Sequence, residues 1–223
     1  MCFSAQASFT SGAVLTAVGI ATARKVQKPE QKLFASIPFL FGIQQFCEGI
    51  LWITLKAGKF AELQNVTEHI FLTFALVIWP LFLPLAVRLM EHAPARKAIL
   101  TRLTIMGFVT SLFYAYCLIF YKVTPEIQGF HIQYNDQFPG NIVHYAFIFY
   151  LGLTVLPSFV STVKWMWVFG ILIAVSGIVT GIFYSGYLTS VWCFFAAGLS
   201  VIIYGILNAP ATEPTPAFQE ILH

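Results

Sequence analysis

Seven apolar stretches, most of them about as long as a bilayer is thick, occupy nearly the whole chain. A spanning helix needs about 20 mostly apolar residues to cross a hydrocarbon core of about 30 Å. Segments such as Ile70–Val87 are apolar on every side, which is typical of spanning helices and not of the alternating strands of a barrel. The sequence therefore predicts an all-α fold, a polytopic membrane protein with a bundle of seven transmembrane helices. The predicted spans lie near residues 5–23, 33–55, 67–90, 99–121, 142–162, 165–184 and 187–207.

The composition agrees with this class. Only 9% of the residues are charged and 58% are hydrophobic, and the mean hydropathy is +0.80. Ordinary globular chains carry about 25% charged residues. The net charge of +3 does not require a nucleic-acid partner, because most of it falls on loops that would face anionic lipid. We therefore expect a lipid bilayer as the partner and no nucleic acid.

The basic residues indicate an orientation. Three of the 12 Lys and Arg residues, Lys56, Lys59 and Lys122, fall on the side of the N-terminus. Cytoplasmic loops carry the excess of positive charge, so we expect the N-terminus outside and the C-terminus inside, in the plasma membrane or the bacterial inner membrane. Met1–Ser11 contains no Lys or Arg, so we expect no removable signal peptide. The other nine basic residues are Arg24, Lys25, Lys28, Lys32, Arg88, Arg96, Lys97, Arg102 and Lys164.

The chain is interpreted as one seven-helix transmembrane domain over residues 1–207. Two segments are expected outside the bilayer: an outward loop at 122–140 and a disordered cytoplasmic tail at 208–223, which contains three prolines. In the outward loop apolar and polar residues alternate, which predicts a short strand or a hairpin lid. The alternating apolar residues are Phe130, Ile132 and Tyr134.

Small residues and prolines predict how the helices pack and bend. Stripes of small residues allow close approach of a neighbouring helix, and prolines kink a helix. The stripe in span one is Gly12, Thr16, Gly19 and Ala23, and that in span six is Gly170, Ala174, Gly177, Gly181 and Ser185. The kinks are expected at Pro80, Pro84 and Pro157.

A polar stripe in span two is the main candidate for a site. Glu48 lies eight residues before Lys56, hence about 12 Å below the predicted outer boundary at about 1.5 Å per residue. Gln44, Gln45 and Trp52 lie three or four positions away and share its helix face. A carboxyl group inside a membrane suggests a function by default, as a ligand or ion site or a proton acceptor. The alternative is a protonated Glu48 that joins helices by hydrogen bonds.

Two histidines could close a site around Glu48 from the same side. His69 lies near the start of span three and His144 near the start of span five. Asn65 and Glu68 match a capping box, which predicts that span three begins with Asn65 as N-cap. Candidate metal ligands are Cys2, Glu48, His69 and His144, so a metal ion is one possible cofactor. Cys47, Cys117 and Cys193 show no metal spacing and are expected to be buried as apolar residues.

Two segments resemble a family of uncharacterised bacterial seven-helix membrane proteins. They are the opening Met1-Cys2-Phe3-Ser4-Ala5 and, in span two, Phe41-Gly42-Ile43-Gln44-Gln45 with Glu48-Gly49. The resemblance implies a seven-helix membrane protein and implies no activity.

The sequence therefore leads to three hypotheses about function. The first is binding or transport of a small ligand or ion in an outward-facing polar pocket that is formed by Gln44, Gln45, Glu48, Trp52, His69 and His144. The second is a membrane-embedded enzyme, with or without a metal ion, that uses the same pocket with Glu48 as general base. The third is a structural subunit of a membrane complex, in which the polar stripe only joins helices.

Overall fold

A computed structural model describes residues 4–208, apart from the side chains of residues 141–144, 146, 147 and 185. The α-helices in this part of the chain form seven rods connected by short turns and one hairpin. Their bounds are α1 Ala5–Ala23, α2 Lys32–Ala35, α3 Ile37–Ala57, α4 Ala61–Leu72, α5 Trp79–Met90, α6 Pro94–Phe120, α7 Gly140–Val160, α8 Met166–Phe183, α9 Leu188–Leu199 and α10 Ile202–Asn208. The predicted tail at 208–223 and Cys2 fall outside the described residues, except for Asn208.

Five of the rods are long and apolar enough to cross a membrane, which confirms a mostly helical fold of the membrane type. They cover Pro29–Ala57, Ala61–Met90, Pro94–Phe120, Met166–Phe183 and Leu188–Asn208. The other two rods are α1 and α7. Among the described residues of α7, Ile148–Val160 forms a shorter apolar helix. Seven spans and their orientation stay predictions.

The rod that contains α4 and α5 is continuous but not regular. A π-helical segment, Thr73–Ile78, joins the two helices directly before Pro80. Side chains from two other helices bond its carbonyl groups, because Tyr150 Oη donates to Ala75 O and Ser111 Oγ donates to Val77 O, both at 2.6 Å. Backbone groups need such partners where water is excluded. Neighbouring helices therefore supply hydrogen bonds to the carbonyl groups of the distorted segment before Pro80.

The predicted capping box at the start of span three is wrong. Helix α4 begins at Ala61, after Gly58 and Phe60, which both have positive φ angles of 58° and 65°. Asn65 is thus already more than one turn inside the helix. The helix starts early because residues 61–66 contain no Gly or Pro to end it, and polar residues can continue a helix beyond a bilayer.

Glycines bring several helices into close contact. A Cβ atom on Gly19 of α1 would lie 2.7 Å from the Phe39 backbone nitrogen, and one on Gly12 would lie 3.2 Å from the Gly42 carbonyl. In α8 a Cβ on Gly170 would lie 2.8 Å from the Ser158 Cβ of α7. Each glycine permits an approach that a larger residue would prevent, as the small-residue stripes predicted.

The loop at 122–140 forms the predicted hairpin. Strands β1, Val123–Gln128, and β2, His131–Asp136, pair antiparallel around Gly129, which has a φ of 63°. Ile132 is fully buried against Leu51 and Trp52 of α3. The Tyr134 ring stacks on Phe71 with centroids 5.3 Å apart. The hairpin is therefore packed onto the ends of α3 and α4 and covers this side of the bundle.

Candidate functional site

The polar stripe of α3 lies inside the bundle. Gln44, Gln45 and Glu48 are fully buried and Trp52 is 1% exposed. Trp52, at the end of the stripe, packs against Ile132 of the hairpin. Ser190 Oγ of α9 donates a hydrogen bond to Glu48 Oε1 at 2.5 Å. Gln45 Nε2 donates to Glu48 Oε2 at 3.5 Å. The carboxyl group of Glu48 thus connects α3 to α9.

The stripe also reaches α5. Trp79 Nε1 donates to Gln44 Oε1 at 3.0 Å, and both side chains are buried. The Trp79 ring stacks on Phe41, with centroids 4.1 Å apart. Consecutive turns of α3 therefore hold α5 through Gln44 and α9 through Glu48.

Some polar atoms in and beside the stripe make no hydrogen bond to the described residues. They include Gln45 Oε1 and Trp52 Nε1. A buried polar atom without a partner costs free energy, and ordered water or a ligand is its ordinary partner. The region around Glu48 therefore has hydrogen-bonding capacity that the protein itself does not use.

The structure does not bring His69 to Glu48. The His69 side chain is exposed, and its Nδ1 lies 2.7 Å from the carbonyl oxygen of Asn65 in its own helix. The expectation that His69 closes the pocket therefore needs correction: His69 lies on the opposite face of α4 from the buried Thr67 and Phe71. The side chain of His144 is not among those described. Within the described part of the chain, no group of three or more His, Cys, Asp or Glu residues could hold a metal ion.

Glu68 is a second buried carboxyl group that the sequence analysis assigned to a helix cap. Its side chain is 4% exposed, and Oε1 makes no hydrogen bond to the described residues. The positive charge of Lys122, at the base of the hairpin, lies close enough to act on it. Because α4 starts early, Glu68 lies in the interior of the rod. No pattern in the sequence indicates that this carboxyl group is buried.

An apolar chamber lies between the central helices. It is small, with a cavity volume of about 40 Å³. Five aromatic rings form much of its wall, and the rest is aliphatic apart from Thr154 and Cys193. The aromatic residues are Phe41, Trp79, Tyr150, Phe169 and Trp192. The chamber thus lies directly beside the polar stripe, which holds Trp79 through Gln44.

A vestibule lies on the hairpin side of the same helices. It lies beneath β2 and the start of α9 and has a cavity volume of about 220 Å³. Its wall is more polar than that of the chamber, because Asp136, Thr189 and three tyrosines contribute to it. The tyrosines are Tyr114, Tyr134 and Tyr187.

A narrow neck with a cavity volume of about 30 Å³ lies between the vestibule and the chamber. The neck shares Leu76, Tyr114, Leu188 and Thr189 with the vestibule. With the chamber it shares Tyr150, Trp192 and Cys193. The three spaces are therefore neighbours that follow one another from the hairpin into the core, and this succession is called the route below.

Electrostatics at the mouth of this route are set by residues of β2. Burial raises the pKa of Asp136 above its ordinary value, although the backbone N–H of Phe138 donates to the carboxylate at 3.3 Å and opposes the shift. Burial lowers the pKa of His131, whose ring contacts Tyr187 at 4.7 Å between centroids. The Asp136 side chain is itself exposed, and it lies on the wall of the vestibule with three tyrosines. A carboxylate beside aromatic rings attracts a positive partner.

Comparison with known proteins gives a family but no function. No curated protein and no solved structure matches this sequence. The resemblance to an uncharacterised family, which rested on the opening residues and on span two, is supported by a family model. That model describes a family of unknown function, DUF6629, and because it matches residues 1–217 the chain belongs to this family.

Proposed function

We propose that the protein is a seven-span integral membrane protein, with its N-terminus outside, that binds a small and largely apolar ligand. The ligand reaches the chamber from the hairpin side through the vestibule and the neck. The polar stripe lies beside the chamber and holds two helices of its wall, α5 and α9, in place. In this proposal Glu48 and Gln44 position α9 and α5, and they do not themselves line the route.

The observation that supports the proposal is the succession of three neighbouring cavities that share wall residues. Protein interiors are packed about as densely as organic crystals, so a row of cavities that leads into a core is unusual. Ligand sites are typically concave and lined by apolar and aromatic side chains with a few polar groups. The chamber has this wall, and the shared residues Tyr150, Trp192 and Cys193 connect it with the neck.

The test uses the two tryptophans of the chamber wall. Trp165 and Trp167 are exposed and are first replaced by Phe, which leaves Trp52, Trp79 and Trp192. The protein is placed in phosphatidylcholine nanodiscs and titrated with 8-bromooctan-1-ol, whose bromine quenches a tryptophan that it touches. We expect saturable quenching, which decreases when Trp79 or Trp192 is replaced by Phe.

A chamber-filling variant separates binding from simple solution of the probe in lipid. Ala196 lines the chamber, so Ala196→Phe should abolish the saturable quenching. Ala17 is exposed on α1, so Ala17→Phe adds the same ring outside the chamber and should leave the quenching unchanged. Thermal unfolding verifies that both variants are folded. Quenching that is non-saturable, or that persists in a folded Ala196→Phe protein, overturns the proposal.

A further inference from the structure

The chamber offers a ligand no free hydrogen-bond donor from its aromatic and threonine side chains, because their N–H and O–H groups already donate to protein acceptors. These bonds are Trp79 Nε1 to Gln44 Oε1, Tyr150 Oη to Ala75 O, Thr154 Oγ1 to Tyr150 O and Trp192 Nε1 to Ser176 Oγ. A charged group or a hydrogen-bond acceptor that entered the chamber would lose its bonds to water without replacement, at considerable cost. The part of a ligand that occupies the chamber is therefore apolar.

The vestibule has a different chemistry. Among the described residues that line it, Asp136 is the one charged residue. Tyr114, Tyr134 and Tyr187 line the same space. Aromatic faces beside a carboxylate are the surroundings in which proteins bind ammonium groups, because the ring quadrupole and the negative charge both attract a cation.

The start of α9 acts against the binding of a cation in the vestibule. Gly186, Tyr187 and Leu188 bring the N-terminus of this helix to the vestibule wall. A helix N-terminus corresponds to roughly half a positive charge. The full negative charge of an ionised Asp136 exceeds it, so the vestibule remains favourable for a cation.

We propose that the ligand is an amphiphilic ammonium compound, with its alkyl or other apolar part in the chamber and its positively charged group in the vestibule beside Asp136. This inference rests on the proposed function, since it assumes that the route holds a ligand. It adds the chemical class of the ligand and the direction in which the ligand lies.

The experiment compares three probes that share one chain and differ in the head group. They are (8-bromooctyl)trimethylammonium, neutral 8-bromooctan-1-ol and 8-bromooctyl sulfate. Each is titrated into the protein that keeps Trp52, Trp79 and Trp192, in nanodiscs of zwitterionic phosphatidylcholine, so that the lipid does not attract either ion. We expect the ammonium probe to bind about tenfold more tightly than the alcohol, and the sulfate to bind more weakly than both.

Asp136→Asn tests the assigned carboxylate. It should remove most of the preference for ammonium and leave the binding of the alcohol unchanged. The matched control is Glu126→Gln, which removes an exposed charge from the neighbouring strand and does not line the vestibule. The preference should persist in that control.

The outcomes distinguish this inference from the function on which it rests. Saturable binding of the alcohol without a preference for ammonium, or a preference that survives Asp136→Asn, overturns the inference and leaves the proposed function standing. Tighter binding of the sulfate also overturns it. Absence of saturable binding for all three probes overturns the proposed function itself.

Discussion

Ser190 of α9 and Glu48 of α3, which are 142 residues apart in the chain, are joined by a buried hydrogen bond from hydroxyl to carboxyl group. Among the described side-chain hydrogen bonds of the polar stripe, this bond joins the two residues that are farthest apart in the sequence. It holds α9 in the position in which Trp192 and Cys193 line the chamber. The sequence analysis left open whether Glu48 forms a ligand site or joins helices, and this contact supports the second role.

The first prediction concerns the stability that this link provides. Ser190→Ala leaves Glu48 with fewer hydrogen bonds in a buried position, and Glu48→Ala leaves several groups unpaired. We expect Ser190→Ala to cost roughly 1–3 kcal/mol, which is typical of a buried polar group that loses its partner, and Glu48→Ala to cost more. Thermal unfolding in detergent measures both.

A double-mutant cycle shows whether the two residues act together. If they do, the double variant should be less destabilised than the sum of the single variants. Thr10→Ala removes an exposed hydroxyl from α1 and should have little effect. Full additivity of the two changes would contradict the link.

The second prediction concerns Gln44 and Trp79. Gln44→Leu removes the acceptor of the buried Trp79 indole N–H, so it should destabilise the protein by about 1–3 kcal/mol. It should also release the Trp79 ring from its place in the chamber wall and weaken the binding of 8-bromooctan-1-ol. Gln6→Leu, at an exposed position of α1, is the control and should change neither unfolding nor quenching. Unchanged quenching in a folded Gln44→Leu protein would show that this bond does not shape the chamber.

The third prediction concerns Glu91, which is fully buried between two turns at the end of α6 far from the hairpin. Its Oε2 accepts a hydrogen bond from Thr162 N at 2.7 Å, and its Oε1 accepts from Ala93 N at 2.9 Å. Burial alone would raise the pKa of Glu91, but the hydrogen bonds from Thr162, Ala93 and His92 outweigh burial and hold the pKa below its ordinary value. The folded state therefore favours the ionised carboxylate.

A lowered pKa in the folded state makes Glu91 stabilising above its unfolded pKa, and this contribution is lost as the pH falls through the folded value. We expect the wild-type melting temperature to fall towards acid pH, and Glu91→Gln to show a lower melting temperature near neutral pH with a flatter acid limb. Glu62→Gln changes an exposed glutamate of α4 and should keep the wild-type pH profile. An equally steep acid limb in Glu91→Gln would mean that other groups cause it.

The sequence predicts the helices and the hairpin well, because each depends on local properties. A rod such as Pro94–Phe120 is recognisable from its own hydropathy. The hairpin is recognisable from alternation that buries Ile132 and half-buries Tyr134. The burial of Glu48 follows from its place among apolar residues, since a charge is seldom left towards lipid.

The candidate site could be predicted only in part, because it depends on which helices are neighbours. Nothing near Glu48 in the chain identifies Ser190 as its partner. The chamber is empty space between α3, α5, α7, α8 and α9, and a cavity has no sequence signal of its own. The wrong capping box at Asn65 has a local cause, since α4 extends beyond the apolar stretch from which its start was inferred.

The last prediction concerns the pH dependence of ammonium binding at the vestibule. Burial raises the pKa of Asp136, so this carboxyl group takes up a proton at a higher pH than the ordinary value of about 3.9. A cation binds the ionised form, so the affinity for (8-bromooctyl)trimethylammonium should fall as the pH is lowered through the raised pKa. The affinity for 8-bromooctan-1-ol should not change over the same range, and Asp136→Asn should make the ammonium profile flat.

The effect of Asp136 on the pH profile must be distinguished from the effects of other titratable groups near it. Tyr114 and Cys117 of α6 lie close enough to Asp136 for its charge to act on them. Phenols and thiols carry no charge at acid pH, so these two residues cannot cause the loss of binding. His131 gains a positive charge in acid and would repel the probe, but burial lowers its pKa. His131→Gln should therefore keep the pH-dependent loss of ammonium binding, and a flat profile in that variant would assign the titration to His131 and not to Asp136.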